Sequence, residues 1–326
     1  MPNREIQAIQ LAKDMTSEIC LACGAARFSV AATNLSGFHL KRCEQCGTAF
    51  TDPKPSSEEL EVSYSRSYYG PENVKFVSLV EGIVGWITQR RARWIHQKIK
   101  PHSRILEIGC GRGLLLGALA RLGHECHGSE RSSLAAKRAQ STVGIRVYTA
   151  PLDSCNLEKS SFDLVILWHV LEHLERPDQT LIQVFQLLGD NGLLVLEVPN
   201  LSSLQSQLSG KHWLHLDIER HLFHFTADGL RKLLKATGFS VVEEGTFSWE
   251  QCPFGVLQSL LNSLGLGSNR LYKLLKREIV LPLPRKLLQY GLCAILVLPA
   301  TLFAGFESWL GRGGVIRIAA RKTSGI

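Results

Sequence analysis

The sequence predicts an α/β fold in which a doubly wound sheet is covered by helices on both faces and preceded by a small cysteine-rich ribbon. Three features carry that expectation. The run Ile105-Leu106-Glu107-Ile108-Gly109-Cys110-Gly111-Arg112-Gly113 reads as a buried strand breaking into a turn, and a helical run, Leu114 to Ala120, follows at once. Apolar strands then alternate with amphipathic helices through Val198, the pattern of a parallel sheet buried on both sides. Two C-x-x-C pairs, Cys20/Cys23 and Cys43/Cys46, stand ahead of the sheet with 19 residues between them. A chain of 326 residues can bury one full α/β domain with a small module to spare.

Apolar residues make up 45% of the chain and charged residues 20%, which excludes an intrinsically disordered protein. The formal charge of +8 is compatible with nucleic acid, an anionic membrane or an acidic substrate. Basic residues cluster at Arg90, Arg91, Arg93, Lys98 and Lys100, and again from Arg270 to Lys286. The aromatic-and-basic signature of RNA-recognition modules is absent, so nucleic acid is not the expected partner. The opening Met1-Pro2-Asn3-Arg4-Glu5 has no apolar core behind it and does not read as a secretory signal, so the expected location is cytoplasmic, with reduced thiols.

Residues 1–19 read as an N-terminal arm and 20–52 as the ribbon. Each C-x-x-C can turn two sulfurs toward one ion, with Gly24 and Gly47 placed where such turns need positive φ. Closed four-thiolate coordination by Cys20, Cys23, Cys43 and Cys46 predicts a structural Zn²⁺ that holds together a segment too small to fold on its own core. The turn Asp52-Pro53-Lys54-Pro55, the aromatic segment Tyr64–Gly70 and a helix from about Phe76 to Ile99 form a connector over 53–100, stopped by Pro101. The main domain is expected over 101–248 and 314–326. Its strands are Ile105–Ile108, Glu125–Ser129, Arg146–Tyr148, Phe162–Leu167, Leu193–Val198 and Ser240–Glu243, with helices between them at Leu114–Leu122, Ser132–Thr142, Gln179–Leu188 and Ala227–Thr237. Thr226 is placed to cap the last of these helices and Gly238 to end it. The remaining cysteines, Cys126, Cys155, Cys252 and Cys293 among them, read as ordinary buried residues.

Glycines between a strand and a helix let the backbone turn tightly and approach a ligand, with the helix start offering free N–H donors. The dinucleotide fingerprint needs glycine at position 114, where this chain has Leu114, which weakens the NAD reading. Glu107 before the turn and Glu130 at the end of the second strand complete a pattern that resembles the class I S-adenosylmethionine-dependent methyltransferases, which have a Rossmann-like sheet whose last strand is antiparallel. Here that strand would be Gly314–Arg321. The second cysteine pair, the Asp-Pro-x-Pro turn and the Tyr-Tyr segment are similar to the zinc-ribbon lead of many bacterial members, of the type 23 and ubiquinone-biosynthesis O-methyltransferase kind.

The resemblance implies that Gly109, Cys110, Gly111 and Gly113 lie against the methionine part of S-adenosylmethionine, that Glu107 anchors that end indirectly, and that Glu130 accepts the ribose hydroxyls. Asp153 is the candidate for adenine. Trp168 and His169 would line the cofactor, with Glu172 and His173 toward the acceptor, in a stretch (Trp168-His169-Val170-Leu171-Glu172-His173-Leu174) like the "H-V-L-E-H-L" segment of the family. Its H-x-x-E-H string also matches the inverted zincin pattern, for which nothing downstream clearly supplies a third ligand. Four histidines with Trp213, Asp217 and Arg220 crowd the loop from Gly210 to Thr226, which is similar to a family stretch that folds over the active site. Methyl transfer requires an aligned nucleophile and, for most acceptors, removal of its proton; His173 and His221 are the catalytic candidates.

Residues 249–313 form a hydrophobic helical insertion in which Leu287 to Phe306 carry no formal charge. Twenty such residues reach transmembrane length. Pro299, Gly291 and Gly305 interrupt the run, and crossing would strand the closing strand beyond the bilayer, so a helical pair on the domain or at an anionic membrane surface is expected instead. The resemblance implies an enzyme that methylates the oxygen or carbon of a small-molecule, sugar or lipid-linked acceptor. The alternatives are an RNA methyltransferase and a noncatalytic binding module, for nucleic acid or protein, on a vestigial methyltransferase fold.

Overall fold

In a computed structural model of the chain, residues 19–33, 37–56, 59, 76–143, 145–150 and 152–323 are described; the arm before residue 19 and the aromatic segment Tyr64–Gly70 lie outside them. Strands β1 (Phe28–Thr33), β2 (His39–Cys43) and β3 (Ala49–Asp52) form an antiparallel meander. Helix α1 (Ser78–His96) follows. The main sheet then begins with β4 (Arg104–Ile108), α2 (Leu114–Ala120), β5 (Glu125–Ser129), α3 (Ser133–Val143) and β6 (Arg146–Tyr148). It continues through β7 (Phe162–Trp168), α4 (Pro177–Leu187) and β8 (Leu188–Pro199). After α5 (Leu204–Ser209) come β9 (Phe223–His224), α6 (Ala227–Ala236) and β10 (Phe239–Gly245), then helices α7 (Cys252–Ser263), α8 (Arg270–Leu275) and α9 (Leu283–Trp309), and finally β11 (Val315–Lys322).

The seven-stranded sheet has the order β10-β11-β8-β7-β4-β5-β6. Strands β4 to β8 pair in parallel, while β11 runs antiparallel between β8 and β10, as expected for the closing strand. Both faces are dry: Leu106, Val165, Leu194 and Ile318 face one cluster with α4 and α6, while Ile105, Leu164, Ile166 and Val195 face another with α1, α2 and α3. Two-sided burial is what their near-continuous apolar strands require. Thr226 caps α6, its hydroxyl accepting from the Gly229 N–H at 3.1 Å, and Leu230, Leu233 and Leu234 bury the helix's apolar face.

Two departures from the sequence reading concern packing between distant segments. The ribbon sheet has four strands, because β9 pairs antiparallel with β3. The uncharged run lies in one helix, α9, that continues through Pro299 instead of being broken by it. Proline removes one intrahelical donor. Ala300 and Ala304, buried just past the proline, pack against residues of α7 and β11, and Tyr290, Cys293 and Leu296 before it pack against the same α7 cluster, so the helix is held on both sides of the defect. The C-terminal end of α9 is anchored to the sheet domain, where the buried Glu307 carboxylate accepts from the Gln205 main-chain N–H at 2.9 Å and from its side-chain amide.

Candidate functional site

The carboxyl ends of β4, β5 and β7 meet at the glycine turn. Gly109, Gly111 and Gly113 have φ of 69°, 53° and 70°, the left-handed region that glycine enters without strain. Gly109 and Cys110 donate their N–H groups to the Ser129 carbonyl at 2.7 and 3.1 Å, which fixes the turn against β5. A Cβ on Gly109 would strike Val170 Cγ2 at 2.5 Å, whereas one on Gly111 would meet nothing within 4 Å. The backbone at Gly111 therefore borders open space, the form a close-fitting cradle takes. Glu130 is buried beside it, Oε2 accepting from the Gly111 N–H and Oε1 from the Ser132 N–H, both at 2.9 Å. Those bonds fix the carboxylate against the glycine turn.

Glu107 is buried, and burial pushes its carboxyl up to about 8, against the pull of the Arg91 guanidinium. Its Oε2 and the Trp168 Nε1 have no hydrogen-bond partner among the described residues. Arg91, on α1, lies 3.9 Å above the Trp168 ring and bonds Glu250 at 2.8 Å. Arg112 grips Glu81 through both carboxylate oxygens at 3.2 Å, tying the glycine turn to α1. Sequence reasoning read Arg91 only as part of a basic cluster and missed Glu81, Glu250 and the role of Arg112. Cys110 is buried with its sulfur toward Gly128, where a Cβ would come within 2.5 Å of it. Asp153 sits exposed on the turn Leu152–Ser154 past β6 and accepts from the Ser154 hydroxyl.

The segment after β7 is a short 3₁₀ turn, Leu171–His173, and not the helix that a zincin motif needs. His169, at φ 53°, places Nδ1 3.2 Å from Glu172 Oε1 and Nε2 3.2 Å from Glu197 Oε1. Burial works against the imidazolium, but hydrogen bonds to both carboxylates and their charges prevail, raising its pKa to about 10. Burial likewise opposes ionisation of Glu172, yet the His169 hydrogen bond holds its carboxyl below the ordinary value. His169 is thus a charged strut between two buried glutamates. Glu197, on β8, is a further residue that the motif alone did not reveal.

The predicted catalytic pair comes together. His173 bonds the Arg220 carbonyl through Nδ1, His221 bonds the His215 carbonyl through Nδ1, each at 2.9 Å, and the two ring centroids are 4.7 Å apart. Burial, then the neighbouring His173, pushes His221 well below the ordinary imidazole value, and burial lowers His215 and His224 to about 4. Neutral His221 is therefore a weak proton acceptor.

The ribbon cysteines also converge. Cys20 and Cys46 sulfurs are 3.7 Å apart, those of Cys23 and Cys43 3.6 Å, and all four lie within 4.8 Å of one another. Thiolates about 2.3 Å from a tetrahedral Zn²⁺ stand about 3.8 Å apart, so the donor set and its spacing fit that ion.

Together, the strand order, the glycine turn and the buried carboxylate define a doubly wound α/β domain, a class whose ligand crevice lies beyond the carboxyl edge of the sheet. Residues 86–244 match the model of the methyltransferase domain family. A ubiquinone biosynthesis O-methyltransferase of Roseobacter denitrificans is 31% identical over 44% of this chain and 62% of its own length; a mitochondrial one from Schizosaccharomyces pombe is 30% identical over 41% and 53%. The matches thus span less than two thirds of either relative. A SAM-dependent methyltransferase structure from Archaeoglobus fulgidus is similar with a TM-score of 0.47 and 21% identity, covering 73% of this chain and 94% of that one.

Proposed function

We propose that the protein is an S-adenosylmethionine-dependent methyltransferase acting on the oxygen or carbon of a small, amphiphilic or lipid-linked acceptor. The observation that carries this reading is the open backbone at Gly111 beside the buried, fixed Glu130, at the carboxyl edge of a sheet whose residues match the methyltransferase domain family. Gly109, Cys110, Gly111 and Gly113 would line the cofactor's methionine end, Glu130 would take the ribose hydroxyls, and Trp168 and Asp153 would border the adenosine. The unpartnered Glu107 oxygen and Trp168 N–H are polar atoms a ligand would satisfy. When bound, the cofactor supplies a sulfonium methyl group. His173 would take the proton of an acceptor hydroxyl, leaving the acceptor oxygen free to receive that methyl group. His173 and His221 stand on the acceptor side; the depressed basicity of His221 favours an orienting role for it. The names of the relatives support oxygen as the acceptor atom.

Calorimetry with S-adenosylhomocysteine tests the reading. The wild type should bind it in preference to NAD, and Gly111→Val, which fills the open side of the turn, should weaken binding by tenfold or more while the melting curve still shows a folded protein. Unchanged affinity in the variant, or preference for NAD, overturns it. Labelled methyl transfer into a fractionated cell extract then identifies the acceptor class.

We also propose that the enzyme meets its acceptor at an anionic membrane surface. Among the described residues α9 alone is long and apolar enough to cross a membrane, yet its far end is fastened into the domain. Only 17% of its most apolar window is buried, and exposed Leu287, Ile295, Leu298, Leu302 and Trp309 fit a helix lying in the interface.

A further inference from the structure

We propose that Glu172, His173 and His221 form a second metal site, separate from the four cysteines, that binds one first-row divalent transition-metal ion with coordination positions left open. One ligand atom from each of the three residues lies within 4.8 Å of the others. Ligands about 2.1 Å from one ion stand about 3.4 Å apart in tetrahedral geometry, so small side-chain rotations close the site. Both rings are oriented as metal-bound histidines are: Nδ1 of His173 donates to the Arg220 carbonyl and Nδ1 of His221 to the His215 carbonyl, which assigns the ligand role to Nε2 in each. Glu172 supplies the second, independent observation. Its side chain is 1% exposed, Oε1 is engaged by His169, and Oε2 is buried with no hydrogen-bond partner among the described residues. A buried carboxylate oxygen without a donor costs free energy unless a cation meets it.

Two imidazoles and one carboxylate suit zinc, iron(II), cobalt(II) or manganese(II) far better than magnesium or calcium. Among the described residues three protein ligands assemble, the number that leaves room for water or an acceptor oxygen. The structure also explains why the sequence motif failed to suggest this site. His169, the first histidine of H-x-x-E-H, is taken up as the strut between Glu172 and Glu197, and the third ligand comes from His221, 48 residues beyond His173 along the chain and brought in by the 213–226 loop. An ion here would fix that loop to the end of β7.

Cobalt(II) titration of the metal-stripped full chain, without S-adenosylmethionine, tests the proposal independently of the methyltransferase reading. The wild type should take up two equivalents: one with the sulfur-to-cobalt charge-transfer bands of a thiolate site, one with only weak visible bands. Paramagnetically shifted imidazole N–H resonances, lost in D₂O, should accompany the second. Glu172→Gln and His221→Ala should each lose the second equivalent and keep the first, whose spectrum also reports that the chain is folded. A wild type that binds one equivalent only, or a second equivalent that survives in both variants, overturns the site.

Discussion

Glu107 sits beneath the glycine turn with its carboxyl raised to about 8, burial being the main cause. Between the ordinary value of 4.5 and about 8, the folded chain retains a proton the unfolded chain has lost, so stability declines as pH rises through that window. Glu107→Gln should remove the decline: equal to the wild type near pH 4.5 and more stable by on the order of 1–3 kcal/mol at pH 8, as read by denaturant unfolding. A variant with the wild-type pH slope would refute it. His169 makes stability fall with rising pH as well, but for a different reason, since its imidazolium is held by hydrogen bonds to two buried carboxylates. Its raised pKa contributes stability that is complete below 6.5 and lost as pH rises through about 10. His169→Ala should therefore cost about 3–5 kcal/mol at pH 6, by leaving buried charges uncompensated, with the deficit shrinking toward pH 10. A pH-independent deficit would mean that the ring only fills space.

The ribbon and the histidine loop act as one element. Thr51, at the end of β3, points its hydroxyl at the Ile218 and His221 carbonyls, each 2.9 Å away, and Thr226 donates to the Cys46 carbonyl at 2.6 Å. With β9 zipped onto β3, the four cysteines brace the backbone that carries His221. Chelating the ion that the four cysteines are expected to hold should increase hydrogen exchange across residues 213–226 while β4 to β8 stay protected, and Thr51→Val should do so more mildly without chelation. Exchange confined to residues 20–52 after chelation would show the two to be uncoupled. This coupling was not legible in the sequence, because it rests on main-chain pairing between segments about 170 residues apart. The cysteine spacing, the glycine turn and the Thr226 cap were legible, since each is a local pattern whose chemistry is complete within a few residues. Glu197, Arg91 and Glu250 were not: nothing in their neighbourhoods along the chain announces which loop they will face.

At the scale of the whole molecule, exposed cations and exposed apolar side chains occur in the same insertion. Within the insertion, α9 presents Leu283, Leu287, Leu298, Phe306 and Trp309 to solvent, and Lys273, Arg277, Arg285 and Lys286 are exposed as well. Lys276, counted with them in the sequence, is buried and paired with Glu278, so it adds nothing to surface attraction. Each exposed cation near an anionic leaflet contributes about 1 kcal/mol, and the apolar face supplies burial that salt does not screen. Binding should accordingly have two parts. Cosedimentation with vesicles containing phosphatidylserine should be strong at low salt and should fall at high salt to the weaker level seen with neutral lipid. Replacing the cations Lys273, Arg277, Arg285 and Lys286 by glutamine should remove the salt-sensitive part, while Leu298→Ser with Leu302→Ser should remove the salt-resistant part; neither set touches the cradle, so affinity for S-adenosylhomocysteine should be unchanged. If the monodisperse protein stays in the supernatant at low salt, α9 covers its own domain or another protein surface, and the acceptor reaches the site from water.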